Sequence, residues 1–397
     1  MPETLPKSPR TIVAALMTAL LVAQLAICVM AVPIAMSGRA DFRQLYTAGN
    51  MVRSGHAGQL YDYDASLHFQ NALVSPEAVA LPFDHLAYEA ALFAPLSLLT
   101  YRAAYAAFFA LNFLLLGLAF QMLLPRLRKL FPLGRWMPAA LFVCFLPVAI
   151  ALIQGQDSII LLVVMIAVSV SLYSGRETIA GTLLALALFK FQFAIPIALL
   201  FLAWRRWRFV AGFAAAGMLL TAISVWIVGI ESFMSYEGYL VTLSMKLSTE
   251  AQRLRYGVYP GAMPNLRGLA YIMAGARLSS AALQATTVAC SGLLLLWAAK
   301  RRASFSLAVC AALLVSYHGL IHDAVILIVP MGLILAKAIE NLSNKIPVAA
   351  TALIIFAAPT LLFFCGQRYS LLAAALLPFL LMIGEGDDRV SSGEVTL

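Results

Sequence analysis

Asp41 stands just past the end of a long apolar run, in the segment Ser37-Gly38-Arg39-Ala40-Asp41-Phe42-Arg43-Gln44-Leu45-Tyr46-Thr47-Ala48. A carboxylate held at the edge of a membrane can take a proton from an attacking hydroxyl. Other polar residues are set among hydrocarbon in the same way: Tyr61-Asp62-Tyr63-Asp64, Asp84-His85, Gln154-Gly155-Gln156-Asp157, Lys190, and His318 to Asp323. Ionisable groups at membrane depth are costly and point to function by default. Each also has a plainer reading. Asp41 can cap a helix over 42–53, with or without facing a cavity. Asp62 and Asp64 suit a turn, Asp84-His85 suits the cap of the amphipathic run that follows, and Lys190 can snorkel to the interface. His318 and His322, spaced i and i+4, would share a helix face. That spacing also suits metal ligands, but no third ligand is evident, so no residue is assigned to a metal and a proton-relaying or orienting histidine is favoured.

The elements that must position these groups are membrane helices. Of the 397 residues, 62% are hydrophobic and 11% are charged, against about 25% charged in soluble domains. Apolar segments of spanning length recur along the whole chain and lack the period-two alternation of a barrel. The expected fold is an all-α polytopic membrane protein. The first run, Thr11 to Met36, exceeds a usual signal core and reads as a retained anchor. A net charge of +9 invites a nucleic-acid reading. The basic residues instead sit in short clusters between apolar runs, as topology signals do, so no nucleic-acid partner is expected. The five Cys form no CxxC and no plausible loop pair, so neither a metal site nor a disulfide is expected.

Lys7 and Arg10 before the first run place the N-terminus in the cytoplasm. The stretch 37–100 is then a first extracytoplasmic loop, ending in a short apolar piece broken by Pro95. Alternation brings the basic turns around Arg126, Arg176, Arg205 to Arg208, Lys300 to Arg302 and Lys337 to the cytoplasmic side. The stretch 178–203 is the ambiguous one. As one helix it would put Arg205, Arg206 and Arg208 outside; as two short helices bending near Lys190 it puts them inside, and the bent pair is preferred. A second long outside loop is expected over 230–264 and a cytoplasmic tail over 385–397, all within one integral membrane domain. Nearly all the unusual polar residues then share the outside face.

The ordered blocks resemble the start and middle of glycosyltransferase family 87. They are Asp41-x-x-x-x-Tyr46-x-Ala48, Leu60-Tyr61-Asp62, Tyr88 to Leu99, Gly155-Gln156-Asp157-Ser158, Ala180-Gly181-Thr182 through Lys190, Arg205-Arg206-Trp207-Arg208, Pro264-Asn265-Leu266-Arg267-Gly268, and Ser316 to Asp323. Asp84-His85-Leu86-Ala87-Tyr88-Glu89 replaces a Tyr-Pro-Pro-like element of that family, Asp157 stands where Asn is common, and Pro196 lies farther from Lys190 than usual. The resemblance implies a GT-C-like bundle of about 11–12 transmembrane helices with extracytoplasmic loops and short surface helices.

It also implies a polyprenyl-phosphate-sugar donor and a glycolipid or cell-envelope glycan acceptor. The setting would be the extracytoplasmic face of the inner (plasma) membrane, with membrane lipid around the chain. Asp41 matches the family's catalytic Asp, with His322 or His318 orienting it or relaying the proton. Lys190, Arg253, Arg255, Arg267 and Arg368 become candidates for the donor phosphate. Tyr46, Tyr61, Asp62, Asp84, His85, Gln156 and Asp157 become candidates for sugar or acceptor. No cofactor is required, though a divalent metal is compatible. A hexose, mannose-like, is favoured over a pentose. The competing readings are a transporter or flippase for a lipid-linked saccharide, a glycosidase using Asp41 and Asp84, and an inactive scaffold.

Overall fold

The computed structural model describes residues 7–242, 249, 252–253, 258–275, 277–339 and 342–386. Among these there is no strand, and the polypeptide is a bundle of helices. The first is α1 (Lys7–Ile34), followed by α2 (Phe42–Arg53), α3 (Tyr63–Leu73), α4 (Ala87–Phe93) and α5 (Tyr101–Leu127). Then come α6 (Met137–Val143), α7 (Leu146–Gln154), α8 (Ser158–Tyr173), α9 (Glu177–Ala185), α10 (Phe191–Ala203), α11 (Trp207–Val228) and α12 (Ile230–Val241). The rest are α13 (Leu266–Ala274), α14 (Ser280–Ala299), α15 (Phe305–Val315), α16 (Ile328–Ile339), α17 (Leu342–Phe364) and α18 (Leu372–Gly386).

Among the described residues, seven helical stretches are by length and composition apolar enough to cross a membrane, counting 177–203 as one although it folds back near Lys190. The pair α6 and α7, bent by 46°, makes an eighth, and three shorter apolar helices accompany them. Large apolar side chains remain exposed on their outer faces, including Val29, Trp226 and Phe364. In a bilayer these faces meet lipid tails rather than water. The chain is therefore an all-α multi-pass membrane protein.

Three breaks in the helices shape the bundle. Pro147 lacks an amide hydrogen, and its ring would clash with the carbonyl of Val143 in a continuous helix. α6 ends at Val143, and α7 restarts just before this proline. The second break is at Gly38, whose φ of +99° ends the first long helix and turns the chain toward Asp41. A Cβ there would lie 2.6 Å from Val74 Cγ1, so glycine is required on two counts. α2 is then fastened to α3 by the buried Arg43 guanidinium, which donates to Gln70 Oε1 at 3.0 Å, Asn71 Oδ1 at 2.8 Å and Ser75 Oγ at 2.9 Å.

The third break settles the ambiguous stretch. Residues 177–203 are helical almost throughout, and 27 residues of straight helix would run about 40 Å. Yet Glu177 at its start and Arg206 just past its end form an ion pair at 2.9 Å. The chain therefore folds back on itself. The turn is a 3-10 segment, Leu186–Lys190, in which Lys190 (φ −114°, ψ 61°) leaves helical geometry. α11 then climbs back along α9 at very close range. A Cβ on Gly181 would lie 1.9 Å from the Phe209 carbonyl oxygen, and one on Gly212 would lie 2.2 Å from that of Thr178. Small residues allow such backbone approach between membrane helices.

Two expected segments differ in detail. The stretch 230–264 is not a plain loop, since α12 occupies its first part. His318 and His322 do not share a helix face, because Ser316 to Leu320 is irregular and Ile321 begins a 3-10 segment.

Close packing at Gly181 makes a direct prediction. Gly181→Leu should lower the detergent-solubilised protein's stability by about 2 kcal/mol or more through overpacking. Gly292→Ala, which meets open space, should leave the melting temperature unchanged or slightly raised. An unaltered melting temperature for Gly181→Leu would mean that α9 and α11 do not touch.

Candidate active site

Asp41 lies at the entry to α2 but does not cap it, for its side chain makes no bond to the helix amides. It is held instead by the end of α7. The Asp41 amide donates to Gln154 Oε1 at 3.1 Å, and Gln156 Nε2 donates to Asp41 Oδ2 at 2.7 Å. Between these glutamines Gly155 adopts a left-handed conformation (φ +58°), and a Cβ on it would lie 2.7 Å from Phe42 Cβ. The Gln-Gly-Gln turn can thus fit under α2 only with glycine at its centre. Asn112 Nδ2 supports the turn from α5 by donating to the Gln156 carbonyl at 3.3 Å.

Asp41 lines a cavity of about 1190 Å³. Its other polar lining includes His322, Arg253, Arg368 and Gln154, with Tyr259 and Tyr271 on the same wall. Its apolar lining includes residues of membrane helices, Ile27 and Ala31 of α1 and Phe363 of α17. The cavity thus combines polar and apolar lining.

Beneath the cavity lies a buried ionic cluster. Lys190 Nζ sits 2.9 Å from Asp157 Oδ1 and 2.7 Å from Asp323 Oδ1. Asp323 also accepts from Ser158 Oγ at 2.9 Å and from the Leu320 amide at 3.0 Å. All three charged side chains are almost wholly buried. His322 Nε2 is 3.6 Å from Asp323 Oδ1. On the far side of Asp157 lies His85, whose Nδ1 faces Glu89 Oε2 and, at 3.4 Å, Asp157 Oδ2, while its Nε2 faces Asp84 Oδ1 at 3.3 Å. Burial disfavours a charged His85, but Glu89, Asp157 and Asp84 outweigh this and push its pKa up to about 9. Burial, helped by Asp157, pushes Glu89 up to about 8 against the pull of His85. Burial would raise Asp157 too, but Lys190 and His85 hold it below the ordinary carboxylate range.

Asp41, His322, Arg253 and Arg368 are thus brought to one cavity, while Lys190, Asp157 and His85 form the cluster behind it. Arg267 lies aside, donating from Nη1 to the Tyr317 carbonyl at 2.8 Å. Arg255 lies outside the described residues. His318 is part-buried, and its carbonyl accepts from Gln192 Nε2 at 3.0 Å. Tyr46 is buried against Tyr101 and donates to the Leu99 carbonyl at 2.8 Å. Tyr61 stacks on Tyr236 and donates to the His85 carbonyl at 3.1 Å. Asp62 caps α3 by accepting from the Ala65 amide at 2.9 Å. Asp84 accepts through its carbonyl from the Tyr236 hydroxyl at 2.9 Å. Sequence reasoning named no role for Gln154, Asp323 or Glu89. The alternation Gln-Gly-Gln and the i, i+4 spacing of His85 and Glu89 were the signals available.

At the opposite end of the bundle, Arg126 stacks over Tyr173 at 4.2 Å. Tyr173, Glu177, Arg206 and Phe305 line one small pocket there. The basic turns therefore gather away from the cavity.

The family model of Glycosyltransferase family 87 matches residues 89–321, more than half of the chain, and the protein belongs to that family. It is a membrane glycosyltransferase. The matched stretch carries Gln156, Asp157 and Lys190, while Asp41, His85 and His322 lie outside it. No curated protein and no solved structure matches the chain.

The cluster makes a prediction about Lys190. Removing one partner from a buried ion network is destabilising by about 3–5 kcal/mol. Lys190→Met should therefore lower the melting temperature sharply, and adding Asp323→Asn should restore part of it. If Lys190 instead holds substrate, Lys190→Met will melt like wild type and only donor binding will weaken.

Proposed function

We propose that the protein transfers a hexose, mannose-like, from a polyprenyl-phosphate-sugar donor to a glycolipid or glycan acceptor at the extracytoplasmic face of the plasma membrane. The observation that carries this reading is the placement of Asp41. It lines a large cavity, oriented by an amide, with Arg253 and Arg368 in its polar lining and Ile27, Ala31 and Phe363 of α1 and α17 in its apolar lining. A lipid-linked donor matches both kinds of lining, since its prenyl tail can lie against the apolar residues while its sugar and phosphate meet the polar ones. The basic turns gather at the other end of the bundle, and the positive-inside rule makes that end cytoplasmic.

The reaction needs one base and stabilisation of one leaving anion. The acceptor hydroxyl attacks the anomeric carbon as its proton passes to Asp41. The new oxygen–carbon bond forms while the bond to the phosphate oxygen breaks, with inversion at that carbon. Polyprenyl phosphate leaves with the bonding electron pair and needs no proton. The added negative charge on the phosphate is met by Arg253 and Arg368, whose guanidinium groups suit phosphate oxygens. His322 lines the same cavity and serves to relay the proton onward from Asp41.

With purified protein, polyprenyl-phosphate mannose and extracted envelope acceptors, Asp41→Asn should lower turnover by about 10²–10⁴-fold. Replacing Arg253 and Arg368 together by Gln should slow transfer while the protein stays folded. A folded Asp41→Asn variant with wild-type turnover would sink the base assignment. Movement of the donor across proteoliposomes without sugar transfer would favour a flippase, and a cytoplasmic reporter signal at Asn50 would reverse the orientation.

A further inference from the structure

The cluster behind the cavity contains a second arrangement that the transfer reaction does not use. His85 Nδ1 and one carboxylate oxygen each from Glu89 and Asp157 lie within 4.8 Å of one another. All three residues are buried, and none lines the reacting cavity. A cation bound at about 2.1 Å from each would place such donor atoms roughly 3–3.5 Å apart, so the set is close to the needed spacing.

Two further features point to a cation. Glu89 is 1% exposed, and its Oε1 has no hydrogen-bond partner although its carboxylate stands against that of Asp157. Two buried carboxylates facing each other need a proton or a cation between them. His85 also has the outer partner common to metal-bound imidazoles, because Asp84 Oδ1 lies 3.3 Å from its other ring nitrogen, Nε2. Such a carboxylate fixes the tautomer that leaves Nδ1 free to bind. The charges agree. Asp84 and Glu89 stand against His85 while Asp157 and Asp323 stand against the lysine, Lys190, so with His85 neutral the ionised cluster sets four carboxylates against one ammonium.

We propose that His85, Glu89 and Asp157 form a divalent-cation site, and that the cation is Zn²⁺ or Mn²⁺. One imidazole with two carboxylates suits these ions. Three buried protein donors are too few for Ca²⁺, which takes six to eight oxygens. Lys190 does not exclude the ion, because it binds the other Asp157 oxygen, Oδ1, and is also neutralised by Asp323. The ion would clamp α4 to the Gln156–Asp157 turn. Gln156 in turn holds Asp41, so the ion positions the reacting carboxylate without touching substrate.

The test measures binding without substrate, so its outcome is independent of the transfer reaction. Tag-free, chelator-treated wild-type protein is titrated with Mn²⁺ alone, then with Zn²⁺ as competitor. The expected result is one tightly held Mn²⁺ per chain, displaced by Zn²⁺, with pulsed EPR reporting coupling to one imidazole nitrogen. Glu89→Gln should abolish that binding, and Asp84→Asn should weaken it by about 10–100-fold. If protons alone neutralise the cluster, wild-type protein will hold neither ion and the site is refuted. Bound Mn²⁺ without imidazole coupling, or unchanged binding by Glu89→Gln, would refute it as well. The coupling measurement needs only wild-type protein, so a variant that fails to fold does not spoil the test.

Discussion

The bundle turns on one buried ammonium group. Lys190 lies between Asp157 and Asp323, three charges that would each be costly alone in so apolar a protein. Meeting them requires three distant pieces of chain to converge: the start of α8, the apex of the α9–α10 hairpin and the 3-10 segment before α16. The apex must also leave helical geometry to do so, as the dihedrals of Lys190 show. A continuous helix through 177–203 would carry the chain to the far face and separate Glu177 from Arg206. The ion network and the folded-back helix therefore depend on each other.

The same constraint orders the cavity. Gln156 precedes Asp157, and His322 precedes Asp323. In each pair the acidic residue faces inward to the cluster and its neighbour serves the cavity side. Anchoring the charged member thus fixes the direction of the other. Asp41 itself is held by two glutamines, one at its backbone amide and one at its side chain. An amide orients a carboxylate without placing a full positive charge beside it, which suits the base role proposed for Asp41.

Much of this was legible in the sequence, and the limits have physical causes. The helices could be read because a bilayer demands long apolar runs. The hairpin at Lys190 followed from the arginines after Trp204, whose sidedness a single span would violate. Asp41 and Gln156 stood out as polar residues at helix ends. That Asp157 and Asp323 pair with Lys190 was not legible, since they lie 33 and 133 positions away and only the tertiary fold joins them. The bend before α7 was announced by Pro147, which a reading by hydropathy alone passed over. The pairing of His318 with His322 failed because i, i+4 spacing places residues together only on a continuous helix. Gly319 and the extended Leu320 interrupt it.

The packing beneath the cavity also bears on the choice between transfer and transport. A transporter must open its site alternately to both sides, commonly around discontinuous helices at mid-membrane. The α9–α10 hairpin is discontinuous in that sense, but its apex is locked by charge rather than left to bind an ion or solute. Between the cavity and the basic end, α8 and α15 contribute side chains with no exposed surface, among them Leu161, Leu162, Met165, Leu313 and Leu314. Opening a path there would strand Asp157, Lys190 and Asp323 apart in a medium of low dielectric, a far larger penalty than a hinge between apolar faces. A site closed on one side by its own ion network agrees with the proposed transfer, in which donor and acceptor enter and products leave on the same side.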